Sequence, residues 1–371
     1  MKTRGLVAAV LTLLMLLAAP LSAHHSFTAT YDSGRKVTLR GTVTRIDWVN
    51  PHAYFYINVT DASGIVTNWA LEFGNIFDLE RSGWTEESLP IGEAVAVEGV
   101  PARGPARRAY AQSVTRASGQ RLFAITQRPA PPARPEPAPR WPDGKVRLGP
   151  APGKKGYWGP ASAVGLVERT GAPIAMNADA ILDNISDADR VAPFQPWAKA
   201  LYERRQRRLL QDDPLTRCLP PGGPRQFHTP YGIQMVEQRE VNRILVLLGG
   251  GNRNWHVINT DGRPVGQAAE VVPTFYGTSV GHWEGDTLVV ETVGFNDKFW
   301  FTSGGLPHTD ALHLTERISR PDLNTLRYDV TVDDPGAYSR PWTGGWTLQW
   351  VPDEEIQEYF CEENAESTFD R

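Results

Sequence analysis

Histidines in two parts of the chain carry most of the titratable chemistry this sequence offers. His24 and His25 open the segment HHSFTATYD, and His52 follows Asn50-Pro51 in WVNPHAYFYI. A chain cut after Ala23 begins at His24, whose α-amine and ring nitrogen bind one metal ion together. A third nitrogen from another imidazole completes a T-shaped set that suits Cu(II). Ser26 stands where the usual amino-terminal copper motif has histidine, and zinc and nickel remain compatible with these donors. The structural alternative is two solvated histidines at a frayed terminus and a turn-packing His52.

The second group lies in GHWEGD, GLPHTDALH and ERISR, which hold His282, Asp286, His308, Asp310, His313 and Glu316. Loops after strands converge at one mouth of a barrel, and a carboxylate two residues beyond His308 can orient that ring as a general base. An enzyme reading therefore assigns acid/base or metal-assisted chemistry to His282, His308 and Asp310. Local structure accounts for the same residues: EGD is a hairpin turn, His308 sits beside Pro307, and His313 and Glu316 fall on opposite faces of one strand.

Weaker signals complete the inventory. Arg225 and Arg263 can clamp an acidic ligand bidentately, although a proline neighbour and a DGR turn also explain them. Trp283, Trp300, Trp342, Trp346 and Trp350 can line a sugar or apolar ligand, or simply fill a core. LLGGGNRN lies between strands, so it reads as a bulged hairpin and not as a phosphate cradle. GTSVG (277–281) places Ser279 centrally, but a strand and no helix follows, which disfavours a serine-hydrolase elbow.

Positioning these groups falls to strands. The chain has 371 residues, 41% hydrophobic, with 30 prolines, 34 glycines and 12 tryptophans, a composition of turns and aromatic-rich strands. A net charge of −4 argues against a nucleic-acid partner. Lys2, Arg4, the apolar run Leu6–Ala19 and small residues up to Ala23 predict an export signal over 1–23, and hence a periplasmic or secreted protein with no membrane span after cleavage. Cys218 and Cys361 then meet an oxidising compartment and are expected to form one disulfide.

Residues 24–123 predict a small OB-like barrel: strands in VTLRGTVTRID and AYFYINV, broken at Asn50-Pro51, then IVTNWALE, a helical patch over 75–81, EAVAVEGV, and a strand near 108–114. Residues 124–190 read as a linker, with prolines densest between 128 and 160. Residues 191–371 predict an antiparallel, up-and-down barrel or curved sheet, preceded by one helix in FQPWAKALYERRQRRLLQ that buries Trp197, Leu201, Leu209 and Leu210. The strands are YGIQMVEQR, VNRILVLL, NWHVINT, SVGHW, DTLVVETV, ALHLTERISR, LNTLRYDVTV, GWTLQWV and EEIQEYF.

HHSFTATYD, GTVTRIDWVNPHAYFYI and NWALEFG resemble a family of small exported bacterial domains of uncharacterised function that begin HHSF and carry a W-x-NPH signature. That likeness covers residues 24–123. CLPPGGPR, GTSVGHWEGDTLVVETVGFND, GLPHTDALHLTER and EYFCEEN resemble a second, secreted bacterial family, also uncharacterised. The resemblance implies export, two domains and a β-rich second half, and supplies no reaction. The sequence thus favours an exported binding protein with a copper or zinc site in the first domain and a small apolar or sugar-like ligand in the second. The alternatives are the enzyme above and an envelope interaction module with an exposed apolar patch.

Overall fold

The computed structural model describes residues 27–49, 52–124, 136–161, 164, 166–169, 173–177, 179–229, 232–250, 254–266, 271–356 and 361. The expected signal peptide, His24 and His25 lie outside these residues.

After a single helical turn α1 (Phe27–Thr30), strands β1 (Val37–Asp47), β2 (Tyr54–Thr60) and β3 (Val66–Glu72) pair antiparallel in sequence order. Helix α2 (Ile76–Arg81) then leads to β4 (Ala94–Pro101) and β5 (Arg108–Arg116). β4 returns to pair with β1, and β5 runs parallel to β3 through Ala70↔Arg108 and Glu72↔Tyr110. The circuit β1-β2-β3-β5-β4 is therefore closed, with a helix between the third and fourth strands, which is the OB-like arrangement. A short β6 (Arg121–Ala124) extends beyond β5. Alternate residues point inward, and Val43, Phe55, Ile57, Leu71, Val97 and Val114 form the core. Gly99 sits at the β4 bulge, where a Cβ would stand 2.2 Å from the Tyr110 carbonyl oxygen, so only glycine allows that approach.

The second barrel closes through nine strands: β7 (Gly156–Trp158), β8 (Ile233–Gln238), β9 (Arg243–Leu248), β10 (Trp255–Asn259), β11 (Thr278–Glu284), β12 (Thr287–Val293), β13 (His313–Asp322), β14 (Thr325–Asp333) and β15 (Trp342–Pro352), which meets β7 again. Neighbours are antiparallel except β10 and β11, which run parallel through Ile258↔Ser279. That pair departs from a pure up-and-down order. The β11–β12 hairpin turns at Gly285, whose φ of 60° costs glycine nothing. In β14, Leu326, Tyr328, Val330 and Val332 are all buried, as the alternation predicted.

Three expectations need correction. The stretch read as linker supplies β7, and Leu148, Trp158, Leu166 and Ile174 from it belong to the large core, so its prolines shape a strap packed on the barrel and not a spacer. The helix, α4 (Pro196–Arg207, after the one-turn α3, Ala188–Val191), buries Ala198, Tyr202 and Gln206, while Trp197 is 46% exposed and donates its indole N–H to the Gly336 carbonyl. An alanine, a tyrosine and a glutamine at i, i+4 and i+8 make the buried stripe, which a search for leucines overlooks. Residues 354–356 of EEIQEYF form no strand, and 357–360 lie outside the described residues. No helix among the described residues is long and apolar enough to cross a membrane.

Candidate functional site

In the first barrel, register places Tyr54 opposite Glu72, next to the break that ends at His52. Glu72 is buried, and its carboxylate gathers donors from His52, Tyr54 and Tyr31 among the described residues. His52 Nδ1 lies 2.7 Å from Oε1, and the Tyr54 hydroxyl donates to Oε2 at 2.7 Å. The hydroxyl of the fully buried Tyr31 also donates to Oε2. These donors replace the hydration the carboxylate gave up on burial. Burial and the neighbouring Glu72 raise the Tyr31 phenol far above its ordinary range, so it stays a donor. Tyr31 is carried there by the segment that follows the leading histidines: Phe27 packs edge-on against Tyr110 at 5.0 Å, and Tyr31 bridges to Ala102.

With Nδ1 against a buried carboxylate, the His52 ring is held in the way outer-shell carboxylates hold metal-binding imidazoles. Among the described residues no group of three or more His, Cys, Asp or Glu side chains forms a metal site. His52 and Glu72 are two such side chains, short of that number, and His24 and His25 lie outside the described residues.

The second barrel holds a polar chain that spans five consecutive strands inside the core. Gln226, on the 3-10 turn over 223–228, donates Nε2–H to the Gly223 carbonyl at 3.0 Å, which fixes its Oε1 toward His256 Nδ1, also 3.0 Å away. His256 therefore carries its proton on Nδ1 and accepts at Nε2 from Ser279 Oγ, at 2.6 Å. Ser279 Oγ lies 2.7 Å from Thr292 Oγ1, Thr292 Oγ1 lies 3.2 Å from Glu316 Oε2, and the Tyr328 hydroxyl donates to Glu316 Oε1 at 2.8 Å. All five strand side chains are buried.

The three contacts from His256 to Glu316 need three protons, and the two hydroxyls supply two. A neutral Glu316 supplies the third, because its acid proton then points to Thr292, Thr292 donates to Ser279, and Ser279 donates to His256. Burial acts in the same direction: it pushes Glu316 up to about 7 and His256 down to about 4. His228, at the other end of the same 3-10 turn, is pushed down to about 3 by burial and then by Arg225.

The expected catalytic group is not brought together. His282 is exposed and lies 3.3 Å from Glu284 Oε1, while Asp286 takes a bidentate contact from Arg140 at 2.9 and 2.6 Å. His308 is buried against Phe299, with its ring nitrogens 3.2 Å from the carbonyls of Phe299 and Thr309; burial lowers its pKa. Asp310 is exposed, and the carboxylate that organises this loop is Asp334, which accepts from the Thr309 backbone and hydroxyl at 2.6 Å each. His313 and Glu316 do lie on opposite faces of β13.

Among the ligand candidates, Arg225 grips buried Asp213 at 2.7 and 2.5 Å, and Arg263 pairs with Asp261 inside its own exposed turn. Trp300, Trp342 and Trp346 are core residues, with the Arg205 guanidinium 4.5 Å over the Trp300 ring, and Trp350 packs on Trp158. Trp283 lines a cavity at one end of the barrel. Cys218 and Cys361 are bonded.

Sequence reasoning missed Glu72 and His256, and set Ser279 aside. One signal was available: in LTERISR, Glu316 shares its parity with Leu314 and Ile318, which puts a carboxylate on the dry face of an alternating strand.

The model of a family of unknown function, DUF6152, matches residues 12–110, a stretch that ends within β5 of the first barrel. No curated protein matches the chain.

Proposed function

We propose that the protein is an exported binding protein whose first domain holds a transition metal, copper before zinc, with His52 as the imidazole ligand presented by the barrel. His24, through its ring and the α-amine, and His25 supply the remaining nitrogens once the chain is cut after Ala23. One observation carries this reading: the Glu72 carboxylate, buried and tied to two tyrosines, holds His52 Nδ1 at 2.7 Å. A buried carboxylate behind an imidazole is the usual outer support of a ligating histidine. The second barrel, whose interior is filled by its core, holds a small ligand at its mouth, where Trp283 is accessible.

The enzyme alternative through His282, His308 and Asp310 has less support, because His282 lies against Glu284 on the surface, His308 is buried against backbone carbonyls and Asp310 is exposed. Copper titration of the exported chain and of Glu72→Gln tests the metal reading. The variant is expected to bind about 10–100-fold more weakly, as other outer-support substitutions do, with circular dichroism showing that it keeps its fold. Equal affinity in the two proteins removes His52 as a carboxylate-supported ligand.

A further inference from the structure

The end of the second barrel that carries the β8–β9 and β11–β12 connections is spanned by a tight turn, Trp141–Lys145, closed by Trp141 N–H to the Lys145 carbonyl at 2.8 Å. Ion pairs hold the turn on two sides: Arg140 to Asp286 of the β11–β12 hairpin, and Asp143 to Arg239 beyond β8. Beneath it lies a cavity of about 170 Å³, lined by Trp283, Ile244, Lys145, Arg239, Arg243 and Asn242, among others. That is small beside the roughly 300 Å³ at which drug-sized ligand sites begin, so its occupant is a single ring.

The lining has a definite chemistry. Trp283 is half-buried and offers an aromatic surface above Ile244 of the core. Trp141 is a wall, because the guanidinium carbons of Arg147 and Arg239 stand 3.7 and 4.9 Å from its ring centre. Glu237 is turned into the structure, accepting from the Trp141 indole at 3.0 Å and from the Leu148 backbone N–H at 2.8 Å. Lys145, Arg239 and Arg243 face two carboxylates, Glu237 and Asp143, which leaves one positive charge in excess. Among the described residues neither Lys145 nor Arg243 is ion-paired, and the Arg243 Nε–H goes to the amide oxygen of Gln238.

We infer that this cavity is a binding site for a carboxylate-bearing sugar, its ring against Trp283, its hydroxyls toward Asn242 and its carboxylate toward Arg243 and Lys145. The inference rests on the reading of the second barrel as a ligand holder and gives that ligand a chemical class. An aromatic platform selects a ring, the amide selects hydroxyls, and the single positive charge in excess selects an acid over a neutral sugar. A guanidinium and an ammonium at an exposed mouth act through a screened field, so affinity falls with added salt.

Tryptophan fluorescence of the full exported chain, titrated with D-glucuronate, D-galacturonate, D-glucose and benzoate at low salt, tests the site. At least one of the two uronates is expected to give a saturable change at a concentration tenfold or more below glucose, with no saturable change from benzoate. Arg243→Gln should remove that preference for the acid, Trp283→Ala should abolish binding, and Trp255→Ala, at the opposite end of β10, should leave it intact. Equal binding of glucose, saturable binding of benzoate, a uronate response that survives Trp283→Ala, or no uronate response at all overturns the inference. Copper titrated into the same sample keeps the outcomes apart, since a missing uronate response with intact metal binding removes the sugar site alone.

Discussion

Replacing Glu316 with glutamine should make the protein more stable above neutral pH, the reverse of what deleting a buried charged residue usually does. Glutamine keeps both contacts of the neutral acid: its Oε1 accepts from Tyr328, and its Nε2–H donates to Thr292, as the acid proton does. What it removes is the ionisation. Burial raises Glu316 in the folded chain from an ordinary 4.5 to about 7, so the folded state binds the proton more tightly than the unfolded state. Its contribution is therefore fully present below about pH 4.5 and is lost as pH rises through about 7. The full span is about 3.5 kcal/mol, from a displacement of two and a half pH units at about 1.4 kcal/mol each.

His256 and His228, pushed down by burial to about 4 and about 3, act oppositely: their contribution is present above about 6.5 and is lost as pH falls. Wild-type stability alone mixes these slopes, whereas the difference between wild type and Glu316→Gln isolates the carboxyl. Urea unfolding followed by tryptophan fluorescence should show a gap below about 1 kcal/mol at pH 5 that grows to about 3 kcal/mol in favour of the variant at pH 8. A wild type that stays the more stable protein at pH 8 would show that Glu316 is ionised in the fold and that the proton count is wrong.

Two further outcomes concern stability. Arg225→Met should cost about 3–5 kcal/mol, because it strands the buried carboxylate of Asp213, and Arg225→Lys should restore only part of that loss, since an ammonium cannot make both contacts; chemical denaturation reads both. Opening the Cys218–Cys361 bond, whose partners lie 143 residues apart, should lower stability by about 5 kcal/mol in the chain-entropy account, seen as a shift of the urea midpoint between the wild type and a Cys218→Ser/Cys361→Ser variant.

Strands that alternate cleanly were legible in the sequence: LRYDVTV turned out to be a strand with Leu326, Tyr328, Val330 and Val332 inside, and β1 ends at Asp47 while β2 begins at Tyr54. Closure of the second barrel was not legible. Its closing strand is three residues, Gly156–Trp158, inside a segment whose prolines and glycines suggest a spacer, and its role depends on β8 and β15 arriving from 75 or more residues away. The buried polar chain was hidden for a related reason. His256, Ser279, Thr292, Glu316 and Tyr328 occupy one residue on each of five strands, so they become neighbours only through register. Local spacing instead drew attention to His308 and Asp310, which share a loop but no hydrogen bond. The disulfide could be expected because only two cysteines exist to pair.

The claim on which the account turns is that His52 completes a copper site with the amino-terminal histidines. Intact mass of the exported protein, followed by Cu(II) titration and electron paramagnetic resonance on wild type and His52→Ala, addresses it most directly. The account predicts a chain beginning at His24, one copper per molecule, and a nitrogen hyperfine pattern that loses one ligand in the variant. A chain beginning elsewhere, or a wild-type spectrum that His52→Ala leaves unchanged, would contradict it.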